Sequence, residues 1–202
     1  MGLKTKIAVF ASHGGSDLQA IIDACESDKL NAEVGLVISN NSSSKALERA
    51  RRHNITAKHI SQAVEKEPEK AIQNALKEHN IQIIFLAGYL KKLGSNILKT
   101  YENRVFNIHP SLLPKYGGKG MYGINVHTAV INAKEKETGI TIHKVTEEYD
   151  QGQIIAQKKV SVLENDTPET LAKRVLKQEH IFIVEVLRLI LNEDNPNLCG
   201  AG

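Results

Sequence analysis

Blocks of like charge are missing from this chain: its 202 residues include 26 Lys or Arg and 23 Asp or Glu, with no basic run longer than two. The resulting net charge of +3 gives little support to a nucleic-acid-binding stripe and suits a small anionic substrate. Cysteine is just as scarce. Cys25 falls inside an amphipathic helix pattern and Cys199 in the tail, so neither a disulfide framework nor a metal-knuckle spacing exists. No metal is expected, and a reducing, cytoplasmic setting fits best. No stretch reaches the roughly 18 apolar residues of a membrane span, and MGLKTKIAVF runs straight into a strand pattern without a signal-peptide core. No membrane partner is expected. With 41% hydrophobic residues the chain supports a substantial core, and its length predicts one domain, taken as 1–193, with 194–202 as a flexible tail.

What is present is an alternation of periods. KIAVFAS (6–12) reads as a buried strand, and after HGG the run SDLQAIIDAC sets Leu18, Ile21, Ile22 and Cys25 at helical spacing. VGLVISN (34–40), SKALERARRH (44–53) and AKHIS (57–61) repeat the pattern as strand, helix and strand. EPEKAIQNALKEHN (67–80) predicts a helix with Pro68 in its first turn, and IQIIFLAG (81–88) a strand buried on both faces. A short helix near 95–101 and the strand RVFNIH (104–109) follow. Such alternation predicts an α/β fold with a Rossmann-like, doubly wound, mostly parallel sheet. After a Gly/Pro loop and a helix near 125–135, the strands 138–146 and 152–162 are joined by EEYDQ and predict an antiparallel C-terminal hairpin. Thr167 as N-cap, Pro168, and a stripe through Leu171, Val175, Ile183, Val186, Leu187 and Ile190 predict a long C-terminal helix.

Three stretches carry chemistry. ASHGGSD (11–17) joins a strand to a helix, and its glycines and free N–H groups suit an anion such as phosphate; it also fits a tight turn in which Ser16 or Asp17 caps the helix. In FNIHP (106–110) a strand's period of two turns Asn107 and His109 to one face, with Phe106 and Ile108 on the other. An amide that donates to a developing oxyanion beside an imidazole that moves a proton is what acyl transfer to an amine requires, although a capped strand end would show the same residues. In TIHKVTEEYDQGQ (141–153), Thr141 and His143 share a face, and Glu147 and Glu148 read as a solvated turn. Asp150, ahead of Gln151 and Gly152, can aim its carboxylate back toward His109.

ASHGGSDLQAII, LAGYLKKL, NIHPSLLPKY, TGITIH, EEYDQGQII and VLKQEH, in that order over about residues 6 to 190, resemble the phosphoribosylglycinamide formyltransferases. The resemblance implies transfer of the formyl group of 10-formyltetrahydrofolate to the amine of glycinamide ribonucleotide, in purine synthesis. It assigns catalysis to Asn107, His109 and Asp150, the substrate phosphate and ribose to Gly15, Ser16 and Asp17, and the glycinamide end to Glu179. It implies that Leu90, Lys91, Lys92 and Leu93, with Thr146, Glu147, Glu148, Tyr149, Asp150 and Asn107, border the folate cosubstrate. A monomer or weak homodimer is expected, with these two small molecules as its partners.

The chain departs from that pattern in places. It reads HGGSD where GNGSN is usual, and GYLKKL for GFMRIL, so Lys91 lacks an arginine's planar fork. An arginine usual ahead of the LAG strand has no counterpart in VEKEPEK. The loop GGKGMYGINVH offers Gly117, Gly118, Gly120 and Gly123 as hinges for closure over substrate, or is disordered, and leaves His127 without a set place. Formyltetrahydrofolate hydrolase and methionyl-tRNA formyltransferase share the Asn-x-His chemistry but carry additional domains that this length does not accommodate. A nucleotide-binding module without catalysis is the reading from another class, and the intact Asn107, His109 and Asp150 speak against it.

Overall fold

The computed structural model describes residues 4–192, and its strands follow the predicted rhythm. β1 (Thr5–Phe10), β2 (Ala32–Ser39), β3 (Thr56–His59), β4 (Ile83–Leu86), β5 (Val105–His109), β6 (Glu137–Lys144) and β7 (Ile154–Ser161) form one seven-stranded sheet in the order β3-β2-β1-β4-β5-β6-β7. The first five are parallel, and β6 and β7 add to β5 in antiparallel register. β4, sequence IIFL, is buried at every position, as a central strand covered by helices on both faces must be.

Helices α1 (Ser16–Glu26), α2 (Lys45–Arg52), α5 (Ile124–Asn132) and α6 (Pro168–Leu191) share one core cluster with one face of the sheet. Helices α3 (Pro68–Glu78) and α4 (Ser95–Thr100) pack a second cluster on the opposite face through Ile72, Leu76 and Ile97. α6 begins where its sequence says it should. Thr167 and Thr170 form a reciprocal capping box, Pro168 takes the first turn, and every residue of the predicted stripe is buried.

Most strand boundaries shift by one or two residues, and two of the shifts have a clear local cause. β1 ends at Phe10 rather than 12, because Ser12 turns out of the ladder to give its N–H to the Gly88 carbonyl and to accept from the Leu90 N–H. The β6–β7 connection runs over 145–153, longer than EEYDQ: Lys144 N–H closes it on the Gln153 carbonyl, and Val145 N–H turns to Val105 of β5. Gly152 is obligatory there, since a Cβ would lie 1.7 Å from the Lys144 carbonyl oxygen. The predicted tail 194–202 lies outside the described residues. No helix among the described residues is long and apolar enough to cross a membrane.

This topology fixes where a ligand can sit. From β1 the chain winds outward to β2 and β3, then crosses to the other side of β1 for β4 and β5, so the strand order reverses between β1 and β4. The crevice beyond the carboxyl ends of strands at such a reversal is the general binding place of open α/β sheets. The loop after β1, the loop after β4 and the end of β5 all open onto that edge.

Candidate active site

At the end of β5, Phe106 and Ile108 enter the larger core cluster, which leaves Asn107 and His109 on the opposite face. The antiparallel register sets His143 of β6 directly across from Asn107. Asp150 comes from the β6–β7 connection, where its φ of 56° bends the chain back over the sheet edge. Its carboxylate lies between two imidazoles: Oδ2 is 3.6 Å from His109 Nδ1, and Oδ1 is 3.5 Å from His143 Nε2. Asn107 Nδ2 is 3.1 Å from His143 Nε2, so Asn107, His143, Asp150 and His109 form one continuous array.

Backbone groups set the tautomers. The Lys144 carbonyl, 2.8 Å from His143 Nδ1, takes that N–H, so in the neutral ring Nε2 accepts from the Asn107 amide. One amide hydrogen of Asn107 remains for a developing oxyanion. The Tyr116 carbonyl, 2.8 Å from His109 Nε2, fixes the His109 proton there and leaves Nδ1, facing Asp150, as the nitrogen able to take up a proton. Gly118 N–H donates to Asp150 Oδ2 at 2.8 Å.

Burial and charge compete at this array. Burial lowers the His109 pKa from 6.5 against the Asp150 charge and the Tyr116 carbonyl, which raise it. Burial pushes the Asp150 carboxyl up, yet the His143 ring when its Nε2 also carries a proton, the His109 charge and Gly118 N–H together hold it below its ordinary value. The neutral-pH pair is therefore a carboxylate beside a largely neutral imidazole, poised for proton transfer. His127, unplaced by sequence, lies buried in α5, where burial and the nearby His109 push it down to about 4, and its Nδ1 has no hydrogen-bond partner among the described residues.

A second cluster forms where α1 meets α6. Ser16 and Asp17 do not cap α1: the N-cap is Gly15, at φ 66°, and among the described residues no side chain takes the first-turn N–H groups, which stay available to an anion. Only glycine fits at 15, since a Cβ would come within 2.8 Å of Ala46. Arg49 Nε donates to the Gly14 carbonyl and props the loop from α2. Asp17 Oδ1 is buried without a hydrogen bond among the described residues, 3.5 Å from His180 Nε2. Burial raises the Asp17 carboxyl to about 6, and burial together with the Asp17 charge raises that of Glu179 well above its usual value. Among the described residues no hydrogen bond joins this cluster to the Asn107–His143–Asp150–His109 array; what they share is the sheet edge.

The two segments expected to border folate meet. Lys92 Nζ is 3.7 Å from Glu148 Oε2 and 4.8 Å over the Tyr149 ring. Leu90 N–H is held by Ser12 Oγ at 2.9 Å, which ties this segment to the loop after β1. Thr146 Oγ1 donates to the Glu148 carbonyl and shapes the turn. Lys91 and Glu147 are exposed, and Leu93 packs into the second core cluster.

Three participants carry no role in the sequence pattern, and a fourth, Gly118, stands there only as a loop hinge. His143 shares a strand face with Thr141 in the sequence pattern, but its link to Asn107 depends on the β5–β6 register. Ser12 sits inside the quoted loop as an ordinary small polar residue. Tyr116 and Gly118 act through backbone atoms, which leave no residue signature.

The formyl transferase family matches residues 5–187. The chain is 41% identical over 195 residues to the chloroplastic phosphoribosylglycinamide formyltransferase of Arabidopsis thaliana, covering 94% of this chain and 66% of that one. It is 35% identical over 193 residues to phosphoribosylglycinamide formyltransferase of Bacillus subtilis, covering 94% and 96%. Its fold matches the crystal structure of phosphoribosylglycinamide formyltransferase from Bacillus halodurans with a TM-score of 0.88 at 36% identity, over 97% of this chain and 100% of that one. The chain spans about two thirds of the length of the plant relatives it matches, at 66% and 62%. It belongs to the formyl transferase family, among the phosphoribosylglycinamide formyltransferases.

Proposed function

We propose that this chain transfers the formyl group of 10-formyltetrahydrofolate to the amino group of glycinamide ribonucleotide, giving formylglycinamide ribonucleotide. The observation that carries the reading is the Asn107–His143–Asp150–His109 array at the sheet's ligand-binding edge, in a member of this family. When bound, the folate supplies a formyl carbon on a nitrogen that can leave.

The residues then divide the work. Asn107, oriented by His143, donates its free amide hydrogen to the oxygen that gains charge as the amine attacks. His109 Nδ1 and Asp150 accept the proton that the amine sheds and return one to the departing nitrogen, so the proton count closes without an outside acid. The first-turn N–H groups of α1, at Ser16 and Asp17 behind Gly15, take the substrate phosphate, with Asp17 and Glu179 toward the ribose and glycinamide. Residues 90–93 and 146–150 close on the folate from two sides, and the contact of Lys92 with Glu148 and Tyr149 supports that fit.

The single seven-stranded sheet supports reading residues 1–193 as one catalytic unit. The reading further takes that unit to work in the cytoplasm, in keeping with its two cysteines, and as a monomer or weak homodimer. Following loss of 10-formyltetrahydrofolate and gain of formylated product, with and without glycinamide ribonucleotide, tests the activity. Product that requires both substrates supports it; folate deformylation at the same rate without the amine makes the chain a hydrolase instead.

A further inference from the structure

The segment just after β5 holds both members of the catalytic pair from one side. The Tyr116 carbonyl accepts from His109 Nε2–H, and two residues on, Gly118 N–H donates to Asp150 Oδ2, each at 2.8 Å. This needs an unusual backbone. Tyr116 has φ 56°, a region that Asn and Asp tolerate and a bulky ring rarely enters. Asp28, Asn54, Asn80, Asn103 and Asp150 are of the types that tolerate this region, whereas Tyr116, like Lys134, enters it against its own preference and therefore needs an anchor.

The anchor lies outside the site. Tyr116 Oη donates to Glu135 Oε1 at 3.0 Å, just beyond the end of α5, and Lys115 Nζ meets the same oxygen at 2.9 Å. The hydrogen bonds of Lys115 and Tyr116 hold the Glu135 carboxyl below its ordinary range, which keeps it an ionised and strong acceptor. The Tyr116 ring also packs against the larger core cluster, so a phenylalanine would keep the packing and lose only the phenol contact.

We infer that Tyr116 and Glu135 are positioning residues: their hydrogen bond fixes the 116–118 bend that orients His109 through its Nε2 and Asp150 through its Oδ2. The effect on turnover rests on the formyl-transfer reading; the effect on the imidazole does not. Misplacing a reacting group by about 1 Å can cost on the order of a hundredfold, and a loosened rather than removed bend predicts roughly a tenfold loss.

Tyr116→Phe and Glu135→Gln, each compared with the unaltered enzyme, test this. The expected result is kcat down roughly tenfold with KM for both substrates within about twofold, and a double variant no slower than the slower single one. Nitrogen NMR of unliganded protein is expected to show His109 as the Nε2–H tautomer, and a mixture of tautomers in both variants. Rates within about twofold of the unaltered enzyme together with an unchanged His109 tautomer overturn the inference, as does a loss confined to KM. If the unaltered protein transfers no formyl group, the functional reading fails, and the NMR result still decides the role of this anchor.

Discussion

Asp150 Oδ2 lies 3.6 Å from His109 Nδ1, although the two residues come from the β6–β7 connection and the end of β5. Only the folded sheet edge brings them together, and each perturbs the other: the carboxylate raises the imidazole against burial, and the imidazole charge lowers the carboxyl. Asp150→Asn is predicted to cut turnover by about 10²–10⁴ while leaving the melting temperature nearly unchanged, since it removes a proton acceptor and keeps the shape. It also removes the charge that raises His109, so the His109 NMR titration midpoint, already below 6.5, is predicted to fall further. A midpoint that rises or stays put contradicts the coupling.

His143 is predicted to act on Asn107. His143→Ala deletes the acceptor that holds the Asn107 amide and is expected to lower kcat by roughly one to two orders of magnitude, whereas Asn107→Ala removes an oxyanion donor worth about 10²–10³. Combining the two should cost less than the product of the single losses. Fully multiplicative losses would show that His143 works elsewhere.

Much of this was legible in the sequence, for identifiable reasons. A period of two put Asn107 and His109 on one face, and a hairpin-tip acid ahead of glycine marked Asp150. The site contacts of His143 and Tyr116 were not legible, because one depends on strand register and the other on a carbonyl. Glu179 shows a signal that was readable: it stands four residues after Val175 and four before Ile183, inside the apolar stripe of α6, where a carboxyl must be buried. The reading of Ser16 or Asp17 as a cap failed because Gly15 adopts the left-handed conformation and ends the turn itself.

That buried acid pair carries a stability cost with a definite sign. Asp17 binds its proton more tightly folded than unfolded, so its contribution is most favourable below 3.8 and is lost as pH rises through about 6. The shift corresponds to at most about 3 kcal/mol, at a side chain 14% exposed. Asp17→Asn should therefore melt higher than the unaltered protein at pH about 8, with the gain vanishing near pH 4. A difference independent of pH would remove Asp17 titration from the account.

The most direct measurement is a crystal structure with glycinamide ribonucleotide and a folate whose one-carbon unit cannot be transferred. The account predicts phosphate on the N–H groups of Ser16 and Asp17, and the one-carbon unit within hydrogen-bond reach of Asn107 Nδ2 and beside the His109–Asp150 pair. A one-carbon unit bound away from all three side chains would contradict it.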